Sequence, residues 1–174
     1  MLINLTDVFT SEGKVKKMSQ TLDIDRVSYM GATYPVIEQS DVSLTFTNIG
    51  TGQVLLEGDM TLKVSIPCDR CLQDVEVSID VTFSHELAAP SEENVQSEEE
   101  EQCFISGYDL DVETLMNNEI LINMPVKVLC HEECKGICMV CGHNLNEGEC
   151  GCDTFVPDPR MAAIKDIFNA NKEV

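Results

Sequence analysis

The sequence predicts an α+β chain: an antiparallel β-rich body, a sheet or a partly open barrel, with one or two packing helices, then a cysteine-rich module and a C-terminal helix. Three observations predict it. Apolar and polar residues alternate in successive runs before residue 90. The apolar spacing changes to three and four residues after the acidic stretch that follows. Most of the nine cysteines crowd into one short segment near the C-terminus. Alternation is the mark of a strand with one buried face, and spacings of three and four are the mark of a helix with one buried stripe.

The β-rich domain spans residues 1–90. Val42, Leu44 and Phe46 give one strand, Gly50-Thr51-Gly52 supplies turn chemistry, and Val54 and Leu56 follow. Met60, Leu62, Val64 and Ile66 alternate next, and Val75, Val77, Ile79, Val81 and Phe83 do the same. Between these two runs stands Pro67-Cys68-Asp69-Arg70-Cys71, which places a C-x-x-C pair at residues 68–71 on the tip of a hairpin. Residues 91–109 hold seven acids and no Lys or Arg, and read as a mobile acidic loop. Residues 110–129 read as a helix packing on the β-rich domain: Asp109 is placed to cap it, Val112, Leu115, Met116 and Ile120 share one face, and Pro125 closes it. Residues 157–174 read as an amphipathic C-terminal helix, with Asp158-Pro159 at its start and Met161, Ile164, Ile167 and Phe168 in its stripe.

The module over residues 130–156 carries the chemistry. Its cysteines run Cys130-x3-Cys134-x3-Cys138-x2-Cys141-x8-Cys150-x-Cys152. Thiolates two or three residues apart reach one tetrahedral zinc, and Gly142 after Cys141 suits a tight knuckle turn. Cys138, Cys141, Cys150 and Cys152 make one four-thiolate site. Cys68, Cys71, Cys130 and Cys134 make a second if the hairpin tip meets the start of the module. Other partitions stay open: Cys130 and Cys134 could exchange roles with Cys138, and His131 or His143 could replace a thiolate. Cys103 is left over. The segment has too few large apolar side chains for a core of its own, so two structural Zn2+ ions are the expected source of its stability.

With Lys+Arg 11 against Asp+Glu 31, the net charge is −20, which disfavours any protein that holds DNA or RNA by broad phosphate neutralisation. Local RNA contact through Lys14, Lys16, Lys17 or Arg70 stays possible, although Lys14 to Lys17 read first as a solvated loop. The N-terminus has no basic start followed by an apolar run, and no segment is long and apolar enough for a membrane helix, so the chain is expected in the cytoplasm. An enzyme is not expected. His131-Glu132-Glu133 and Pro67-Cys68-x-x-Cys71 stand in the reverse order from the zinc deaminase pattern. No βαβ pattern surrounds either C-x-x-C, no phosphate-binding glycine loop occurs, and four-cysteine sites leave no open metal position. Two alternatives from other classes are a thiol redox or zinc-responsive regulator, with Cys103 as the spare thiol, and a zinc-dependent enzyme acting on nucleic acid.

Several stretches resemble the bacterial YceD family, also called the large ribosomal RNA subunit accumulation protein. They are Pro67-Cys68-Asp69-Arg70-Cys71-Leu72, Glu119-Ile120-Leu121-Ile122-Asn123-Met124-Pro125, the run from Cys134-Lys135-Gly136-Ile137-Cys138 to Asn146, Cys150-Gly151-Cys152, and Asp158-Pro159-Arg160. The N-terminal third resembles the family only in its β-rich character. The resemblance implies a cytoplasmic, non-enzymatic factor for 23S rRNA accumulation or processing, acting on the large ribosomal subunit precursor. Large-subunit ribosomal protein thirty-two is a candidate partner by the same resemblance, because its gene often neighbours the family's. Some members keep the hairpin C-x-x-C and lack the later cluster, whereas this chain has both. The acidity points to a basic ribosomal protein as the direct ligand, held until rRNA displaces it.

Overall fold

The computed structural model describes residues 1–50, 52–90 and 104–152. The stretch 91–103, which holds most of the expected acidic loop and Cys103, and residues 153–174, which hold the expected C-terminal helix, lie outside the described residues. The chain forms two compact units. The first takes in Met1–Ile66 and Asp74–Val128; the second takes in Pro67–Gln73 and the chain from Leu129 on. The hairpin tip thus groups with the cysteine-rich segment, whereas the sequence predicts residues 68–71 as part of the β-rich body.

In the first unit the order is β1 (Leu2–Asn4), α1 (Thr6–Phe9), β2 (Val15–Gln20), β3 (Arg26–Tyr29), β4 (Ala32–Gln39), β5 (Val42–Gly50), β6 (Gln53–Pro67), β7 (Asp74–Ala88), β8 (Ile105–Ser106), β9 (Asp109–Asp111) and α2 (Val112–Ile122). A six-stranded antiparallel sheet runs β2-β5-β6-β4-β3, and β7 also pairs with β6. β1, β9 and β8 form a second, three-stranded sheet.

β6 organises the larger sheet. The sequence reads Val54-Leu56 and Met60-Ile66 as separate runs, but the two join into one strand of 15 residues. Its even-numbered apolar residues, Val54, Leu56, Met60, Leu62, Val64 and Ile66, are all buried. The run is not broken at Gly58, because the Phe83 ring of β7 occupies the space a Cβ would need there. β4 and β5 pair with β6 in nearly continuous register, from Val36 opposite Val64 to Gly50 opposite Gln53. In β5, Val42, Leu44 and Phe46 point inward as their alternation predicts.

Three expectations are corrected. Residues 104–109 are a short hairpin rather than part of a mobile loop: Phe104 is buried, Ile105 and Ser106 form β8, Gly107 and Tyr108 make the turn, and Asp109 opens β9. Asp109 does not cap α2; its carboxylate accepts a hydrogen bond from Asn4 Nδ2 at 2.7 Å. The cap is Asp111, whose side chain accepts from the Glu113 amide at 3.2 Å and from Thr114 Oγ1 at 2.8 Å. α2 then buries Val112, Leu115, Met116 and Ile120, the stripe the spacing predicts. Lys16 and Lys17 are not in a loop either, but in β2, paired with Phe46 and Thr45.

Two buried polar side chains have no counterpart in the sequence reading. Asn48 follows the inward alternation of β5, yet its amide donates to the carbonyls of Val8 at 2.7 Å and Phe9 at 3.1 Å, while its Oδ1 accepts from Gly50 N at 2.8 Å. It closes the C-terminal end of α1 on the sheet. Asn48→Ala is therefore expected to withdraw the side-chain partner of the buried Phe9 carbonyl and Gly50 amide, while the Val8 carbonyl keeps the Ser11 amide at 3.4 Å, and to cost about 2–3 kcal/mol, at one to three per orphaned group with partial relaxation. Urea unfolding measures this, and a loss within about 0.5 kcal/mol, the range of an ordinary surface change, would refute the role. Glu119 is 5% exposed on α2. Its Oε1 lies 2.7 Å from His85 Nε2 on β7, so His85 is a satisfied polar residue, ringed by Phe83 and Phe104.

Candidate metal centre

The second unit is built almost without apolar packing. Among the described residues of 67–73 and 129–152, only Cys68, Cys71, Cys134, Gly136 and Cys138 are buried. None of them belongs to the hydrophobic core cluster, which ends at Val128. Its backbone is a series of turns with one isolated bridge, Ile137 to Asn144. What converges instead is sulfur.

Cys68, Cys71, Cys130 and Cys134 form one group and Cys138, Cys141, Cys150 and Cys152 a second, with the Sγ atoms of each group all within 4.8 Å of one another. Neither His131 nor His143 joins a group among the described residues, and Cys130 and Cys134 do not trade places with Cys138. His131 Nδ1 instead lies 3.1 Å from Cys130 Sγ. In the first group the Cys68 and Cys134 sulfurs are 3.8 Å apart and those of Cys71 and Cys130 3.5 Å. Four sulfurs about 2.3 Å from a tetrahedral ion stand about 3.8 Å from each other, so the spacing fits one metal ion.

Each group is supported by a knuckle turn. In the first, Leu72 N donates to Cys68 O at 3.0 Å, and Cys68 N donates to Gln73 O at 2.8 Å. In the second, Gly142 N donates to Cys138 O at 2.8 Å and Val140 N to Cys138 Sγ at 3.4 Å. Gly142 takes φ 74 as its place in the turn requires. Leu72 holds the equivalent place after Cys71 with φ 61, an uncommon conformation for a bulky residue.

These turns set the charge state of the sulfurs. Burial pushes the Cys68 thiol up, but the amides of Cys71, Arg70 and Cys130 outweigh it and bring it down to about 6. The amides of Cys141 and Val140, with the Cys150 side chain, bring Cys138 to about 6 against its burial. For Cys134, burial is overcome by the Asn146 side chain and the Gly136 amide, and its pKa also falls. The remaining thiols then face a thiolate. Burial and the Cys134 and Cys71 sulfurs push Cys130 up to about 12. The Cys141 and Cys150 sulfurs, with burial, do the same to Cys152. A cluster that holds some sulfurs ionised and penalises the next is one that a cation would relieve.

Three of the four candidate RNA contacts are engaged within the protein. Arg70 Nη1 donates to Cys134 O at 2.7 Å. Lys14 and Lys16 lie 3.0 and 3.6 Å from Asp7. Sequence reasoning missed Asn146 and the bracing role of Arg70, since neither is a metal ligand type; the only available signal was their position inside or beside a cysteine motif. No helix among the described residues is long and apolar enough to cross a membrane.

The chain is similar to proteins of mycobacteria. It is 30% identical over 93 residues to the uncharacterized protein ML1660 of Mycobacterium leprae, covering 53% of this chain and 43% of that protein. It is 25% identical over 134 residues to the uncharacterized protein Rv2926c of Mycobacterium tuberculosis, covering 76% of this chain and 64% of that protein. The chain thus spans less than two thirds of the length of these curated relatives. No solved structure matches it significantly. A family model described as "Large ribosomal RNA subunit accumulation protein YceD" matches residues 56–168, a stretch that takes in most of β6, all of β7 and α2 and all eight clustered cysteines, and the chain belongs to that family.

Proposed function

We propose that this protein is a non-enzymatic ribosome assembly factor, stabilised by two structural Zn2+ ions, that supports 23S rRNA accumulation or processing in large-subunit biogenesis. Membership of a family described by accumulation of large ribosomal RNA supports the assembly role. The observation that carries the mode of action is the pair of four-sulfur groups. Thiolate donors at this spacing suit Zn2+, and four of them fill a tetrahedral ion, which leaves no place for a reacting water. The protein then acts by binding, in the cytoplasm. Each occupied site keeps excess negative charge, because four thiolates outnumber the two charges of the ion, and the whole chain already carries −20.

That charge favours a basic ribosomal protein as the direct ligand; large-subunit protein thirty-two is a candidate by family resemblance alone. The internal hydrogen bond of Arg70 and the ion pairs of Lys14 and Lys16 with Asp7 leave less cationic surface for RNA. Sedimentation of extracts from a depletion strain tests the role. A deficit of mature 50S particles with accumulated 23S precursor is expected, restored by the wild-type gene; normal profiles across several growth conditions would remove the proposal. Crosslinking then separates the ligands, since crosslinks overwhelmingly to 23S rRNA would replace the basic protein by RNA.

A further inference from the structure

The two sulfur groups are separated by only three residues, Lys135, Gly136 and Ile137, between Cys134 of the first and Cys138 of the second. That short span is held on both sides. Ile137 N donates to the Arg70 carbonyl of the first knuckle at 3.0 Å. Gly136 sits so close to the same carbonyl that a Cβ would lie 2.9 Å from it, and its φ is +81. On the other side Gly136 O accepts from Leu145 N at 2.8 Å, and Cys138 N donates to His143 O at 2.8 Å. Leu145 and His143 belong to the loop between Cys141 and Cys150, which the second site closes.

Asn146, in that same loop, reaches across to the first site. Its Nδ2 lies 3.2 Å from Cys134 Sγ and donates to it, and its Oδ1 accepts from Lys135 N at 2.8 Å. The side chain is itself fixed by Asn144, whose Oδ1 accepts from Asn146 Nδ2 at 2.9 Å and from Asn146 N at 3.1 Å. A donor to a thiolate favours the form that binds metal. The loop that carries this donor has no buried apolar side chain to hold it. Beyond its few hydrogen bonds to residues 135–138, it is held at its two ends by Cys141 and Cys150, so its geometry depends on the second cluster being closed.

We infer that the two sites bind metal as a coupled pair and that Asn146 is the positioning residue that couples them. The inference rests on the two-zinc reading above. Loss of the second metal releases the 142–149 loop and withdraws a donor from a first-site ligand. Linkage requires the converse, so that an occupied first site strengthens the second by the same factor.

The test uses the full chain loaded with zinc, titrated with a chelator, followed by native mass spectrometry and by alkylation mapped to individual cysteines. Wild-type protein is expected to pass from two zinc ions to none with little one-zinc species. Asn146→Ala is expected to weaken first-site binding by about tenfold or more, as loss of a ligand-orienting partner does. A one-zinc species then accumulates, with Cys68, Cys71, Cys130 and Cys134 alkylated first. Replacing Cys150 and Cys152 by Ser removes the second site and is expected to weaken the first by a similar factor. Adding Asn146→Ala on that background should change little, whereas a merely local role would make the effects additive. One-zinc protein at the statistical proportion in the wild type, or additive effects, overturns the coupling while leaving the two zinc sites in place. Protein that binds no zinc overturns both readings.

Discussion

Stripped of metal by a strong chelator, the protein is expected to lose the folded structure of residues 67–73 and 129–152 while the β-rich body keeps its own unfolding transition. The reason lies in what each unit buries. The body encloses a continuous apolar cluster from Ile3 to Val128. The cysteine-rich unit encloses four cysteine side chains and a glycine among its described residues. Structural zinc supplies about 10–16 kcal/mol in small thiolate modules at neutral pH. Without it the clustered sulfurs repel as they ionise, and turns alone do not hold a chain of this length. The eight clustered thiols should change from protected to rapidly alkylated, and early proteolysis should fall within 129–152. Because zinc takes only the deprotonated form of each ligand, acid should weaken binding and release the metal progressively as pH falls. Thiols that stay protected in metal-free protein, or protein that never carries zinc, would contradict the expectation.

Phe46→Ala is expected to be the most damaging single change in the body. Phe46 is 0% exposed at the centre of β5, opposite Leu56 on one neighbour and Lys16 on the other. Truncating a buried phenylalanine removes its transfer energy and leaves a cavity, together about 3–5 kcal/mol. That is a large share of the roughly 5–15 kcal/mol that holds an ordinary domain folded. Chemical denaturation should show the lower midpoint, and zinc content measured on the folded fraction should be unchanged, since no ligand is touched. A loss below about 1 kcal/mol would show that the sheet closes over the space or that Phe46 is not part of the core.

Strand alternation was the most legible signal. Where one face of a strand is buried and the other wet, the period of two is written directly in the residues, as in β5, β6 and β7. The helical stripe of α2 was legible for the same reason, although its start was misplaced by two residues, because Asp109 and Asp111 are equally good caps until the pairing of Asp109 with Asn4 uses one of them. β1 to β4 were not legible. Their burial is partial or their runs are short, and β1 and β9 pair across more than a hundred residues, which no local pattern records.

By itself, then, the sequence determined the β-rich body, the face of α2, the eight cysteines able to gather as metal ligands and the family resemblance, since each rests on residue type and near spacing. Only the tertiary structure decided how the sulfurs divide, because Cys68 and Cys134 meet across 66 positions. It alone placed Asn146 on Cys134 and the Arg70 carbonyl on Ile137, and it turned Asn48 from an oddity in an apolar strand into the clasp of α1. A hydrogen bond depends on where a donor and an acceptor arrive in space. The order of residues fixes the chemistry each one offers, and the packing of distant segments selects which of those offers are taken up.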